Sequence, residues 1–147
     1  MKSKLVAEEA NGKTHVVVLD PGEEAFKSIE AFAEQEGIAA ASLTAIGAFS
    51  RATVGWFDIE QRTYLRIPVD EQCEVLSAVG DIALGEDGKP AVHVHVVLGM
   101  KDGSTRGGHL LEGFVQPTLE VMLTEMPRHL QRRKRADLGI ALIDLAD

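Results

Sequence analysis

Residues 91–109, AVHVHVVLGMKDGSTRGGH, contain the pattern that decides both the fold and the chemistry of this 147-residue chain. The first eight residues are apolar except for two histidines, and their β-branched content predicts a strand. The Asp-Gly pair at 102–103 is a typical signal of a tight reversal, so the next strand should return antiparallel beside the first. His93 and His95 lie two residues apart, and on a strand their side chains point to the same face.

This histidine pair is a candidate metal site. Two neighbouring imidazoles can hold a divalent ion when a third ligand arrives from elsewhere in the fold. His109 is the natural third ligand, because it lies in the returning segment and the Gly107-Gly108 pair lets the backbone approach closely. Glu112 or Glu120 could orient a ligand histidine or complete the coordination, and the sequence does not choose between them. The competing interpretation is two ordinary hydrogen-bonded histidines in a valine-rich core strand.

The other residues limit what such a site could be. Cys73 is the one cysteine, which excludes a disulfide framework within the chain and a zinc site made of cysteines alone. A metal would therefore take imidazole or carboxylate ligands, and zinc is the first choice. Three histidines with an open fourth position would also suit a metal-dependent hydrolase. No residue stands out as a general base, and H-E-x-x-H, G-x-S-x-G and Walker motifs are absent, so a non-enzymatic role is favoured.

Composition is typical of a globular protein. The chain is 45% hydrophobic and 26% charged, with a formal net charge of −8 at pH 7. Its length fits one domain of about 100 to 200 residues, so we expect a single domain over residues 1–147. The N-terminus has no apolar signal-peptide core, and no apolar run approaches the roughly 18 residues of a membrane span. These features predict a soluble, cytoplasmic protein without membrane contact.

Periodicity predicts one helix and a series of strands. The helix should begin at Asp20 as its cap, with Pro21 in the first turn and Glu23 completing a capping box, and should end at Gly37. The predicted strands cover residues 14–19, 42–49, 52–58, 64–68, 74–84, 91–98, 109–114, 118–126 and 138–145. The expected fold class is α+β: a mixed, mainly antiparallel sheet with one long N-terminal helix packed on it.

One basic segment interrupts this acidic chain. Residues 128–135 hold five of the 15 Lys and Arg residues: Arg128, Arg132, Arg133, Lys134 and Arg135. The segment could be a solvated helix or loop, a contact with a neighbouring subunit, or a nucleic-acid interface. The acidic remainder of the chain opposes broad contact with phosphates, so a DNA-binding regulator using this segment is the less favoured alternative.

Five blocks of sequence, in order, resemble the PPC ("plants and prokaryotes conserved") domain family. They are AIGAFS at 45–50, CEVLSAVG at 73–80, HVH at 93–95, GGHL at 107–110 and TLEV at 118–121. The resemblance covers nearly the whole chain, which looks like the prokaryotic members that consist of the domain alone. It implies a sandwich-like domain on a mixed, mainly antiparallel sheet, assembled as a homotrimer.

The resemblance also implies a role. In prokaryotic members the H-x-H and G-G-H histidines are associated with a bound metal, which carries over to His93, His95 and His109. Plant members add AT-hook segments, but no Arg-Gly-Arg-Pro occurs here, and EQCEVL at 71–76 lacks the arginine and aromatic residue of the plant motif. The leading hypothesis is a homotrimer with a binding or regulatory role, holding a divalent metal that is either structural or the mark of a small-ligand pocket.

Overall fold

The computed structural model describes residues 1–10, 12–126 and 129–145. Its elements are β1 (Lys2–Glu9), β2 (Gly12–Leu19), α1 (Ala25–Glu36), β3 (Ala40–Asp58), β4 (Thr63–Val69), β5 (Cys73–Leu84), β6 (Pro90–Gly99), β7 (Thr105–Glu125), β8 (Gln131–Arg135) and β9 (Ile140–Asp144). Strands contain most of the described residues, and the helix contains 12. The expected α+β class with a long N-terminal helix is therefore wrong, and the fold is a mostly β, mixed sheet.

The helix is shorter than predicted because another residue caps it. The Glu24 carboxylate accepts hydrogen bonds from the backbone N–H groups of Phe26 and Lys27, at 3.1 and 2.9 Å. The same carboxylate accepts from the backbone N–H of Gly113 at 3.0 Å, which ties the start of the helix to β7. Asp20 instead lies in the preceding turn. The predicted end is correct, since Gly37 adopts the left-handed conformation with φ 69°.

The central strands are longer than the sequence pattern indicates. Predicted strands 42–49 and 52–58 form one strand, β3, and 109–114 and 118–126 form another, β7. Register shifts interrupt the pairing of β3 with β7 near the gaps between these predicted strands. Such bulges bend a strand without ending it, which lets two long strands curve around the core.

Pairing among four strands closes the sheet around the core. β6 pairs with both β5 and β7, and both of those strands pair with β3. The path through the sheet runs β1-β2-β7-β3-β5-β8-β9, with β4 on β3. In the described part of the chain, β5 and β8 form the parallel pair and the other pairs are antiparallel. The Asp-Gly reversal at 102–103 is confirmed as the turn of the antiparallel β6–β7 hairpin, and a second Asp-Gly pair, at 87–88, lies in the turn of the antiparallel β5–β6 hairpin. None of the described helices has the length and apolar character of a membrane span.

The core determines which face of β6 carries the histidines. Val92, Val94 and Val96 are buried, together with large side chains such as Phe32 of α1 and Phe49 of β3. Because side chains alternate along a strand, His93 and His95 lie on the opposite face of β6. Burial of the valines therefore fixes the orientation of the histidine pair.

Close approach of β5 to β6 requires glycine at position 80, which pairs with Val94. A Cβ atom there would lie 2.1 Å from the carbonyl oxygen of His93 and 2.9 Å from the Cα of Val94. Gly80→Ala must push the two strands apart, and we expect a loss of about 2–3 kcal/mol in the free energy of unfolding.

Urea denaturation checks this prediction, with Gly22→Ala as the control. Gly22 has φ 87°, and a Cβ atom added there would meet no other atom within 4 Å. Gly22→Ala should therefore lose only about 1 kcal/mol in the free energy of unfolding, from the strain of alanine in the left-handed conformation. Equal losses of stability in the two variants would show that the β5–β6 approach imposes no constraint.

Candidate metal centre

Three histidines converge on two adjacent strands. His93 and His95 lie on β6, and His109 lies on β7 directly opposite His95. One ligand nitrogen from each ring lies within 4.8 Å of the others. Nε2 of His93 is 3.1 Å from Nε2 of His95, and the ring centroid of His109 lies 4.9 and 5.4 Å from those of His93 and His95. We call these three residues the histidine triad.

Local structure explains why the triad forms. The turn at residues 101–104 returns β7 beside β6, and Gly107 and Gly108 pair with Val97 and Val96. A Cβ atom at Gly108 would lie 2.6 Å from the carbonyl oxygen of Gly55, so glycine permits β3 and β7 to approach at this point. His109 is thereby held in register with His95.

Two rings of the triad are deprotonated at neutral pH. Burial lowers the pKa of His93, and the Arg132 cation and His95 lower this pKa further. Burial together with His93, His95 and Arg132 lowers the pKa of His109 to about 4. A metal binds only the neutral form of imidazole, so these two rings need not lose a proton at neutral pH before binding an ion.

Polar groups surround the outer nitrogens of two rings. The Arg132 guanidinium donates from Nη2 to Nδ1 of His93 at 3.2 Å and also pairs with Asp81. Oδ2 of Asp81 lies 3.8 Å from the same Nδ1. On the other side, the Tyr64 hydroxyl lies 3.4 Å from Nδ1 of His109, and burial raises the pKa of this tyrosine. A ligand histidine donates its outer N–H to an acceptor, and the Asp81 carboxylate and the Tyr64 oxygen can accept, whereas Arg132 can only donate.

The two glutamates considered from sequence do not join the triad. Glu112 pairs with Thr53 on β3, and Glu120 is exposed and pairs with Ile46 on the same strand. Within the residues described, the metal-sized cluster of His, Cys, Asp and Glu contains the three histidines alone. The acidic side chain beside the triad is Asp81, which lies directly opposite His93 in the β5–β6 pairing.

Gln131–Arg135 of the basic segment form a strand, β8, rather than a helix or loop. Arg128 lies outside the described residues, and β8 pairs with β9. Arg132 is 7% exposed and points to the triad instead of solvent. Arg133 and Arg135 are exposed, and each forms an ion pair, with Asp144 at 3.1 Å and Asp137 at 2.9 Å. Lys134 is exposed, and its backbone N–H donates to Glu86.

Sequence reasoning missed Arg132 and Asp81 as neighbours of the triad. The hairpin prediction for β5–β6 contained the necessary signal for Asp81, since correct register places it opposite His93. Arg132 offered no such signal, because β8 meets β5 at one bridge, Leu84 to Gln131. Its place among five basic residues instead favoured a surface role.

The donor set fits a divalent transition metal. Imidazole nitrogen suits zinc and its neighbours, whereas magnesium and calcium prefer oxygen ligands. His93, His95 and His109 supply three nitrogens, and the fourth position of a tetrahedral ion would face a ligand or water. An ion held in this way would act as a Lewis acid or as an anchor for a small ligand.

The fold and triad define a closed β-sheet protein with a three-histidine cluster on its β6–β7 hairpin. The family model of the Plants and Prokaryotes Conserved (PCC) domain matches residues 6–127. This chain belongs to that family, which is the PPC family that its sequence resembles.

Solved structures share this fold over almost the whole chain. A plant- and prokaryote-conserved protein from Pyrococcus horikoshii is 32% identical, with a TM-score of 0.86 over 98% of this chain and 99% of that one. A protein from Archaeoglobus fulgidus described as metal-containing is 35% identical, with a TM-score of 0.84 over 97% and 99%. A Bacteroides thetaiotaomicron protein proposed to bind DNA is 25% identical, with a TM-score of 0.86 over 94% of each chain.

A curated relative is much longer. The bifunctional protein GlmU of Synechococcus sp. (strain JA-3-3Ab) is 33% identical over 107 residues, which are 71% of this chain and 16% of GlmU. The chain spans about one sixth of the length of the curated relatives it matches.

Proposed function

We propose that this chain forms one cytoplasmic domain that holds one divalent metal ion through His93, His95 and His109. Its role is binding or regulation, with a small ligand at the metal and self-association into a homotrimer. The observation that carries the proposal is the convergence of three ligand nitrogens within 4.8 Å. The metal-containing relative from Archaeoglobus fulgidus adds support.

Zinc is the ion we favour. Two rings of the triad are neutral at neutral pH because burial lowers the pKa values of His93 and His109. Zinc accepts three imidazoles in a four-coordinate site, with Zn–N distances of about 2.0–2.1 Å. Asp81 and Tyr64 would orient His93 and His109 from outside the cluster.

Metal analysis of the purified protein tests the proposal. After removal of metal with a chelator and titration with zinc, we expect about one ion per chain, bound tightly enough to survive gel filtration, as structural and catalytic zinc sites do. Equilibrium dialysis against cobalt(II) gives an independent stoichiometry. A protein that retains no zinc or cobalt would contradict the proposal.

Self-association rests on an exposed apolar face, which also includes His95. Met122 of β7, Thr44 of β3, Val79 of β5 and His95 of β6 form one row across four strands, and all four are exposed. Ile46, Leu76 and Val97 are further exposed apolar residues on these strands. Apolar patches of this kind mark protein interfaces, and a homotrimer would cover them.

DNA binding through residues 128–135 has less support. Arg132 is buried against Asp81, and the exposed Arg133 and Arg135 are engaged in ion pairs. The relative proposed to bind DNA favours such a role.

A hydrolase would require a general base beside the metal. The carboxylate beside the triad is that of Asp81, which is already paired with Arg132.

A further inference from the structure

Arg132 occupies an unusual position beside the triad. The residue is 7% exposed, and its Nη2 group donates to both Asp81 and Nδ1 of His93. Its buried Nε has no hydrogen-bond partner within the described parts of the chain. A buried donor without a partner costs about 1–3 kcal/mol, so a partner for this guanidinium is expected.

The hydrogen bond from Arg132 fixes the tautomer of His93. Arginine has donors only, so Nδ1 of His93 must accept, and the proton of the neutral ring then sits on Nε2. Nε2 is the nitrogen that faces His95 at 3.1 Å and is therefore the one available to a metal. Binding through Nε2 requires the proton to be on Nδ1, which cannot then accept from Arg132.

Metal loading would therefore rearrange the contacts of these residues. His93 would carry its proton on Nδ1 instead of Nε2, with no net proton released. Oδ2 of Asp81, 3.8 Å from Nδ1, would become the acceptor. The Nη2 proton that Arg132 gives to His93 would lose its partner, which would leave the guanidinium with a donor to spare.

Charge favours an anion as the new partner. A divalent ion, the Arg132 cation, the Asp81 anion and three neutral imidazoles give the loaded site a net charge of about +2. Arginine binds carboxylate and phosphate groups with charge-assisted hydrogen bonds. Arg132 also lines a groove of about 480 Å³ between the β5–β6 turn and the β8–β9 hairpin, together with Glu86, Asp87 and Lys134.

We propose that Arg132 binds an oxyanion, a carboxylate or a phosphate group, on a small ligand that also occupies the open position of the metal. This proposal rests on the proposed function, since Nη2 of Arg132 loses its hydrogen bond to His93 only when a metal ion occupies the triad. Metal and anion binding are then coupled, and each raises the affinity of the other by the same factor.

Titration of the cobalt(II)-loaded protein tests this proposal. Acetate and inorganic phosphate are added in separate experiments, and calorimetry and the visible absorption of cobalt report binding and coordination. We expect at least one of them to bind about tenfold or more tightly to loaded than to metal-free protein, and to change the cobalt spectrum. The two experiments distinguish a carboxylate ligand from a phosphate ligand.

Arg132→Gln should weaken anion binding by about tenfold when it is compared with wild type at cobalt concentrations that load both proteins. Arg133→Gln is the matched control, because it removes an exposed charge from the same strand. Should Arg132→Gln fail to fold, Arg132→Lys keeps the charge without the planar fork and should still weaken binding.

Each unfavourable result overturns a definite part of this account. Stoichiometric cobalt without binding of either anion overturns the role of Arg132 and leaves the metal proposal intact. Equal binding to loaded and metal-free protein, or normal binding by the Arg132 variants, also overturns that role. Failure to bind cobalt at all overturns the proposed function together with this inference.

Discussion

Replacing His95 with alanine should remove the metal from the protein. His95 supplies one of three nitrogens, and two imidazoles on different strands hold an ion far more weakly. Loss of an outer partner alone typically costs about 10–100-fold in metal affinity, so loss of a ligand should reduce bound zinc to below about a tenth of an ion per chain. Because His95 is exposed and contributes nothing to the core, the variant should fold normally.

His129→Ala is the control for this experiment. His129 is also an exposed histidine, and it lies outside the triad. Emission spectrometry on both variants and wild type, after identical zinc loading and gel filtration, gives the comparison. A full zinc content in His95→Ala, with circular dichroism matching wild type, would remove His95 from the site.

A charge placed on the exposed apolar face should dissociate the homotrimer that we propose. Met122 lies in the same row as Thr44 and Val79, at the opposite end from His95. Met122→Asp would bury a carboxylate in each subunit contact. The cost should be comparable to that of losing an interface hot spot, about 2 kcal/mol or more, which weakens the affinity of each contact roughly 30-fold or more. We expect sedimentation of wild type as a trimer and of the variant as a monomer.

Ile59→Asp controls for the effect of a new surface charge. Ile59 is 73% exposed in the turn between β3 and β4, outside the apolar face. This variant should remain trimeric at the same concentration. A trimer that persists in Met122→Asp, or a wild-type monomer, would mean that this face does not mediate self-association.

Local signals account for what the sequence predicted correctly. The Asp-Gly turns and the alternation of valine with histidine depend on neighbouring residues, and they predicted the β6–β7 hairpin. Gly37 predicted the end of the helix in the same way, because its left-handed conformation and its backbone hydrogen bonds involve only the last turn of that helix. The meeting of His95 with His109 follows from the turn and the register, so residues close together in the chain were sufficient to predict it.

Features that depend on distant contacts were not predictable. β1 is exposed along its whole length and has no apolar alternation, so its sequence does not distinguish it from a loop. β8 is strongly basic, and only its pairing with β9 and the burial of Arg132 reveal a strand. The expected break within β3 was a bulge, because the pairing with β7 continues on both sides.

Anomalous X-ray diffraction at the zinc edge, on crystals of zinc-loaded protein, shows whether the histidine triad binds the metal. We predict one anomalous peak per chain, about 2.0–2.1 Å from a ring nitrogen of each of His93, His95 and His109. A loaded crystal with no peak at the triad, or with the zinc bound elsewhere, would contradict the account.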